Sequence, residues 1–309
     1  MNSTILIGKS RLDIVVEPGS FDISKDGLLD WIHAAAESVA GYYGRFPVPH
    51  VLIRITPGEG RGVGHGMTFG RQGGLIKIRV GAETTPAGFE SDWMLTHEMI
   101  HLAFPSVPEE HHWIEEGISV YVEPIARVRA KHMEVSEMWY EFVRDLPQGL
   151  PASGDRGLDH THTWARTYWG GALFCFLADV QIHQRTNNKK GLEDALRGIL
   201  DSGADINRDM SLEDALALGD RAVGGSDLKT LYESMKDKPV DVDLPALWEK
   251  LGVKVVGKEV QFVDTAPFSA TRMAITYGSP QSHADGDESN KNYAVFAGRT
   301  SATRQAGKE

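Results

Sequence analysis

A chain of 309 residues, 41 % hydrophobic and 24 % charged, is long enough to bury a large core as one domain or two packed lobes, and its composition is that of an ordinary globular protein. Its formal net charge of −11 argues against nucleic acid and against an anionic membrane surface, since both need a basic face. The single cysteine, Cys175, allows neither an intrachain disulfide nor a thiolate cluster, so any metal must be held by His, Asp or Glu. In "GGALFCFLADV" it reads as a buried helix residue.

The N-terminal stretch "MNSTILIGKSRLDIVV" lacks a basic region followed by an apolar core and is not read as a signal peptide. The compartment stays open between the cytoplasm and, after loss of a leader, the periplasm or the exterior. No apolar run approaches the roughly 18 residues of a membrane span. "RLDIVVEPG" (11–19) alternates into a Pro-Gly turn and predicts a strand. Residues 24–46 predict a helix, with Leu28, Ile32, Ala35, Val39 and Tyr43 at spacings of three and four. "PHVLIRITPG" (49–58) is a second strand, 58–74 a glycine-rich loop or open hairpin, and "LIKIRVG" (75–81) a third strand. The first 90 residues thus read as a small mixed sheet with one helix.

From residue 90 onward the periodicity is helical. "FESDWMLTHEMIHLAF" predicts one helix stopped by Pro105, and "WIEEGISVYVEPIARVRAKHM" another with a kink at Pro124. "VSEMWYEFVRDL" follows, then a loop over 146–163, then the long apolar helix "WARTYWGGALFCFLADVQIHQRT". Shorter amphipathic helices lead to "DLPALWEKLGVKVV", which closes a helical lobe over 91–278. The polar stretch 279–309 reads as a disordered tail.

The chemistry is concentrated in "LTHEMIHLAF" (95–104). Four residues apart on a helix, His97 and His101 lie on one face and can present two imidazoles to one ion. Glu98 lies about 100° further round, able to reach a metal-bound water without becoming a ligand. This is the content of the H-E-x-x-H pattern: a zinc ion polarises water, Glu98 takes the proton, and a carbonyl is attacked. A catalytic zinc needs a third protein ligand and an open position. The next segment, "VPEEHHWIEEGISVYVEP", supplies Glu109, Glu110, His111, His112, Glu115, Glu116 and Glu123.

Here the chain resembles the gluzincin metallopeptidases, in which a glutamate on a following helix, often within W-x-x-E-G, completes the site. Trp113-Ile114-Glu115-Glu116-Gly117 matches, so the resemblance implies Glu116 as third ligand, with Glu115 as its competitor on another helix face. Glu109 and Glu110 read as an exposed turn, and His111 and His112 as loop or N-cap residues. Glu123 is either an exposed helix residue or a hydrogen-bond partner for His97 or His101. The Tyr-x-x-Gly pattern of the gluzincin aminopeptidases is matched by Tyr168 and Gly171, which implies Tyr168 as oxyanion donor; His160 and His162 are alternatives for that role.

The resemblance to glycyl- and alanyl-aminopeptidase-like catalytic domains covers about residues 10–275, with 97–117 its specific part. It implies an α+β, thermolysin-like zincin with a small N-terminal mixed-sheet lobe (1–90) and a C-terminal helical lobe (91–278). It implies one zinc per chain, a peptide or protein substrate, and an edge strand beside the metal. "LIKIRVG" is expected to be that edge strand, with "GHGMTFG" (64–70) as the loop next to it. Alanyl-type enzymes carry Gly-x-Met-Glu-Asn here, with a glutamate for the free amine of the substrate; this chain has Met67-Thr68 instead, which leaves endopeptidase and exopeptidase action open. The alternatives to a peptidase are a zinc- or peptide-binding protein of the same fold without turnover, hydrolysis of a non-peptide amide or ester, and a metal-free helical interaction module.

Overall fold

The computed structural model describes residues 2–279 apart from Ser20 and Arg71. The expected disordered tail falls, from residue 280 on, outside the described residues.

Strands β1 (Asn2–Ile7), β2 (Ser10–Val16), β3 (His50–Gly58), β4 (Val63–Gly70) and β5 (Gly74–Gly81) form one mixed sheet in the order β1-β2-β3-β5-β4. The inner pairs β2–β3 and β3–β5 are parallel, and β1 and β4 close the two edges antiparallel. Alternation along the inner strands sends one set of side chains inward. The register then aligns Ile14 with Ile53, Ile53 with Ile76 and Ile55 with Ile78, all buried. Arg54, Lys77 and Arg79 alternate with them onto the exposed face.

Of the two expectations for 58–74, a glycine-rich loop or an open hairpin, the structure has the hairpin, with Val63–Gly70 paired antiparallel to β5. In consequence "LIKIRVG" is an inner strand flanked on both sides, and β4 is the edge. β1 also pairs with β2, a hairpin that the sequence reading did not assign.

Helix α1 (Lys25–Tyr43) starts at Ser24, whose side chain accepts from the Gly27 N–H. It packs Leu28, Ile32, Ala35 and Val39 into the core. The expected single helix over 89–104 is divided into α2 (Pro86–Glu90) and α3 (Met94–His101). Asp92 causes the break: its carboxylate accepts from the N–H groups of Met94 and Leu95, capping α3, and from the Trp31 indole. Helix α4 (His112–Arg129) runs through Pro124 without ending there.

Helices α5 (Val135–Asp145), α6 (Gly171–Thr186), α7 (Leu192–Asp201), α8 (Leu212–Val223), α9 (Asp227–Met235) and α10 (Leu244–Leu251) complete most of the helical part. A π-helical turn, Arg166–Gly170, precedes α6 where one regular helix was expected. A hairpin of β6 (Val253–Val256) and β7 (Glu259–Phe262) and a final helix α11 (Ser269–Tyr277) follow; neither was anticipated. One apolar cluster runs from Leu12, Ile53 and Ile78 of the sheet through Leu95 and Ile118 to Phe174 and Leu231. Among the described residues no helix is long and apolar enough to cross a membrane.

Two contacts fix α4. At its start, Asp159 Oδ1 lies 3.0 Å from His111 Nδ1 and 2.8 Å from Trp113 Nε1, and Asp159 Oδ2 accepts from the Tyr232 hydroxyl at 2.8 Å. One buried carboxylate thereby satisfies three donors. One turn on, α4 crosses α6 at Gly117 and Gly171; a Cβ on Gly171 would lie 2.0 Å from the Trp113 carbonyl oxygen and 2.8 Å from Gly117 Cα. Both positions need glycine because backbone meets backbone.

Gly171→Ala should therefore lower unfolding stability by about 3 kcal/mol in denaturant titration, the upper range for overpacking a close contact. Gly41→Ala, on α1 where an added Cβ meets nothing within 4 Å, should instead raise it by about 0.5–1 kcal/mol. Equal effects would mean that the helix crossing is not a packing constraint.

Candidate metal centre

Helices α3 and α4 meet so that one ligand atom from each of His97, His101 and Glu116 lies within 4.8 Å of the others. His97 Nε2 is 3.1 Å from Glu116 Oε2 and 3.2 Å from His101 Nε2, and His101 Nε2 is 3.7 Å from the same carboxylate oxygen. Three ligands at zinc–ligand distances of about 2.05 Å in tetrahedral geometry would be about 3.3 Å apart. The triangle of donor atoms is thus the size that a zinc ion requires. His97 Nε2 and His101 Nε2 face each other at 3.2 Å, so a cation between them could accept a lone pair from both rings. His101 Nδ1 is 3.2 Å from Ser119 Oγ, to which it can donate while Nε2 keeps its lone pair for a metal. His97 Nδ1 is buried and makes no hydrogen bond among the described residues.

The electrostatics of His101 and Glu116 suit metal ligands. Burial, helped by His97, pushes the His101 imidazole down to about 3, so the ring is neutral near pH 7. Burial alone would raise Glu116, but hydrogen bonds with His112 and His97, and the nearby His101, hold it well below the usual carboxylate range. Hydrogen bonds to Glu115 and Glu116 push His112 up to about 10.

Glu98 sits beside this triangle, only 5 % exposed. Burial raises its proton affinity, against the lowering effect of a hydrogen bond from Thr68. That bond is short, with Thr68 Oγ1 2.6 Å from Glu98 Oε2. Gly66, two residues earlier on β4, makes the approach possible: a Cβ there would lie 2.6 Å from Glu98 Oε1. The edge strand thus touches the candidate base directly.

Tyr168 lies in the π-helical turn before α6, half-buried and stacked on Trp164 with ring centroids 5.6 Å apart. Burial, with the negative charges of Glu116 and Glu98 adding to it, pushes its phenol up to about 12, so it is a proton donor at neutral pH. Trp93, about half exposed, sets its ring edge-on to His97 at 5.6 Å.

The other candidates lie elsewhere. Glu115 accepts from the Val107 N–H through Oε1 and faces His112 through Oε2, so it is outside the triangle. Glu123 pairs with Arg127 Nη1 at 3.0 Å, not with either histidine, and burial pushes it up to about 7 against the opposing effect of Arg127. His111 is spent on Asp159, His160 pairs with Asp237 at 2.9 Å, His162 is exposed, and Cys175 is buried. Glu109 and Glu110 are exposed. Sequence reasoning missed Thr68, Ser119, Asp159 and the contact of His112 with Glu116. Only the last had a signal, the four-residue spacing on one helix. A cavity of about 970 Å³ between α1, α2 and the α4–α5 turn is lined by Trp31, Phe89, Thr96 and Arg127 among others, and by none of the cluster residues.

No family model matches the chain, and no curated protein matches it. Solved structures do. An aminopeptidase N family protein from Idiomarina loihiensis superposes with a TM-score of 0.60 at 11 % identity, over 82 % of this chain and 49 % of that one. An M1 zinc metallopeptidase from Deinococcus radiodurans does so at 0.50 and 14 % identity, over 78 % and 52 %, and a mutant of it at 0.51, over 78 % and 53 %. The chain spans about half the length of these proteins. Its α+β fold, with a mixed five-stranded sheet and a helical part, is the one it shares with M1 zinc metallopeptidases and the aminopeptidase N family, in keeping with the gluzincin resemblance of residues 97–117.

Proposed function

We propose that the protein is a zinc-dependent peptidase that binds one zinc per chain through His97, His101 and Glu116. The observation that carries the reading is the convergence of those three ligand atoms within 4.8 Å beside a buried Glu98. The shared fold supports a peptide substrate. A zinc ion in this site supplies Lewis acidity to water and to the scissile carbonyl. Glu98, whose proton affinity is raised by burial, accepts a proton from the attacking water and returns it to the leaving amine. Tyr168, kept as a phenol, donates to the oxyanion. The free edge of β4 offers backbone groups to an extended peptide, which pairs as an added strand and brings its carbonyl towards Glu98. This role belongs to β4 and not to "LIKIRVG", which is enclosed by two neighbours.

Protein purified without added metal should carry about one zinc per chain, and His97→Ala and Glu116→Ala should each lose it; a wild type that neither carries nor takes up zinc would end this reading. Glu98→Gln should keep the zinc and lose peptide hydrolysis by about 100-fold or more. Undiminished turnover in that variant would remove Glu98 as base. Thr68 stands where alanyl-type enzymes carry their amine-binding glutamate, and its hydroxyl is committed to Glu98. N-acetylated peptides should therefore be cleaved no more slowly than the same peptides with a free amine. A strict requirement for the free amine, seen by comparing kcat/KM for the two, would restore an aminopeptidase.

A further inference from the structure

The ligand triangle has a neighbour that the peptidase reading does not use. His112 opens α4 and precedes Glu116 by four residues, so the two share a helix face. Glu116 has partners on both oxygens, and the Tyr168 phenol adds a further hydrogen bond to the carboxylate. Its Oε2 lies 3.1 Å from His97 Nε2 and 3.7 Å from His101 Nε2, while its Oε1 lies 3.3 Å from His112 Nε2. His112 is held in turn: its Nδ1 is 2.9 Å from Glu115 Oε2, and Glu115 Oε1 accepts from the Val107 N–H at 3.1 Å. The nitrogen that faces Glu116, Nε2, is placed to direct a proton at Oε1. A chain of contacts therefore runs from the α3–α4 connection through Glu115 and His112 to the second oxygen of Glu116.

We propose that His112 is a positioning residue that restricts Glu116 to ligation through one oxygen, Oε2. The inference rests on the zinc reading above. A carboxylate can bind an ion through one oxygen or both, and a second oxygen would take up coordination that a catalytic zinc keeps open for water and substrate. Tying Oε1 to an N–H donor on the same helix withholds that oxygen and fixes the carboxylate plane. The usual relation, in which a carboxylate orients a ligating imidazole, is here reversed: an imidazole orients a ligating carboxylate. Glu115 keeps the His112 ring turned towards Glu116, which gives the residue that competes with Glu116 in the sequence a supporting part.

The test compares wild type with His112→Ala, His112→Gln and Glu115→Gln, each first checked for a wild-type circular dichroism spectrum and cooperative melt. Zinc affinity is measured by chelator competition. Coordination is read from the visible absorption of the cobalt(II)-substituted protein, whose bands are intense when the ion has four ligands and weaken as ligands are added. The wild type should show the intense bands. His112→Ala should show weaker bands and bind zinc about 10- to 100-fold less tightly. His112→Gln, which keeps an N–H donor on a chain of similar reach, should recover part of both, and Glu115→Gln should shift both in the direction of His112→Ala. A wild-type cobalt spectrum and zinc affinity in a folded His112→Ala protein would overturn the role of His112 and leave the zinc site standing. A wild type that takes up neither metal would overturn both.

Discussion

Glu116 is a carboxylate only 7 % exposed, and a buried charge is tolerated only where other charges and hydrogen bonds answer it. Its neighbours His97, His101 and His112 provide that answer, and an ion in the triangle would complete it. Much of the surrounding structure serves to keep these groups in place. Asp92 starts α3 at the residue that brings both histidines to the α4 side. Asp159 collects donors from His111 and Trp113 and fixes where α4 begins. The Gly117–Gly171 crossing lets α6 press against α4, which carries the turn bearing Tyr168 to the same side.

The sheet contributes from the other direction. β4 has little apolar area to hold it, and its attachment depends on backbone pairing with β5 and on contact with α3. Gly66 and Thr68 put strand backbone and a hydroxyl against Glu98. In the proposed mechanism, a strand that touches the candidate base and also lies at the sheet edge would link substrate alignment to proton transfer through two residues.

Much of this was legible in the sequence because it rests on spacing. Residues 97, 98 and 101 follow from the helical repeat, whereas Glu116 was singled out among its neighbours only by the resemblance of Trp-Ile-Glu-Glu-Gly to the gluzincin signature. The inner strands were legible because β-branched residues alternate there. What failed did so for physical reasons. In β4, "VGHGMTFG" has three glycines, and the residues facing Glu98 are Gly66 and Thr68 while Met67 is exposed, so its alternation carries no buried apolar face; it reads as a loop or open hairpin, and the neighbouring "LIKIRVG" as an edge. Glu123 lies on the helix face expected of a partner for the histidines, yet Arg127, one turn later, takes its charge. Asp159 gave no signal because its three donors come from positions 111, 113 and 232, which only the folded chain brings together.

The open edge of β4 has one more consequence. Unpaired strand backbone accepts any extended chain, including another copy of the same strand. If the edge receives a substrate strand, as proposed, it cannot be protected by being covered. The protection visible here is of another kind: β4 is glycine-rich and interrupted by a register shift between Val63 and Gly66. Each of these breaks up the flat run that a second copy would need for a stable sheet, while a single peptide bound as proposed, over a few residues near Thr68, would be unaffected. The glycines that hide the strand from sequence reading are thus also a defence against self-association.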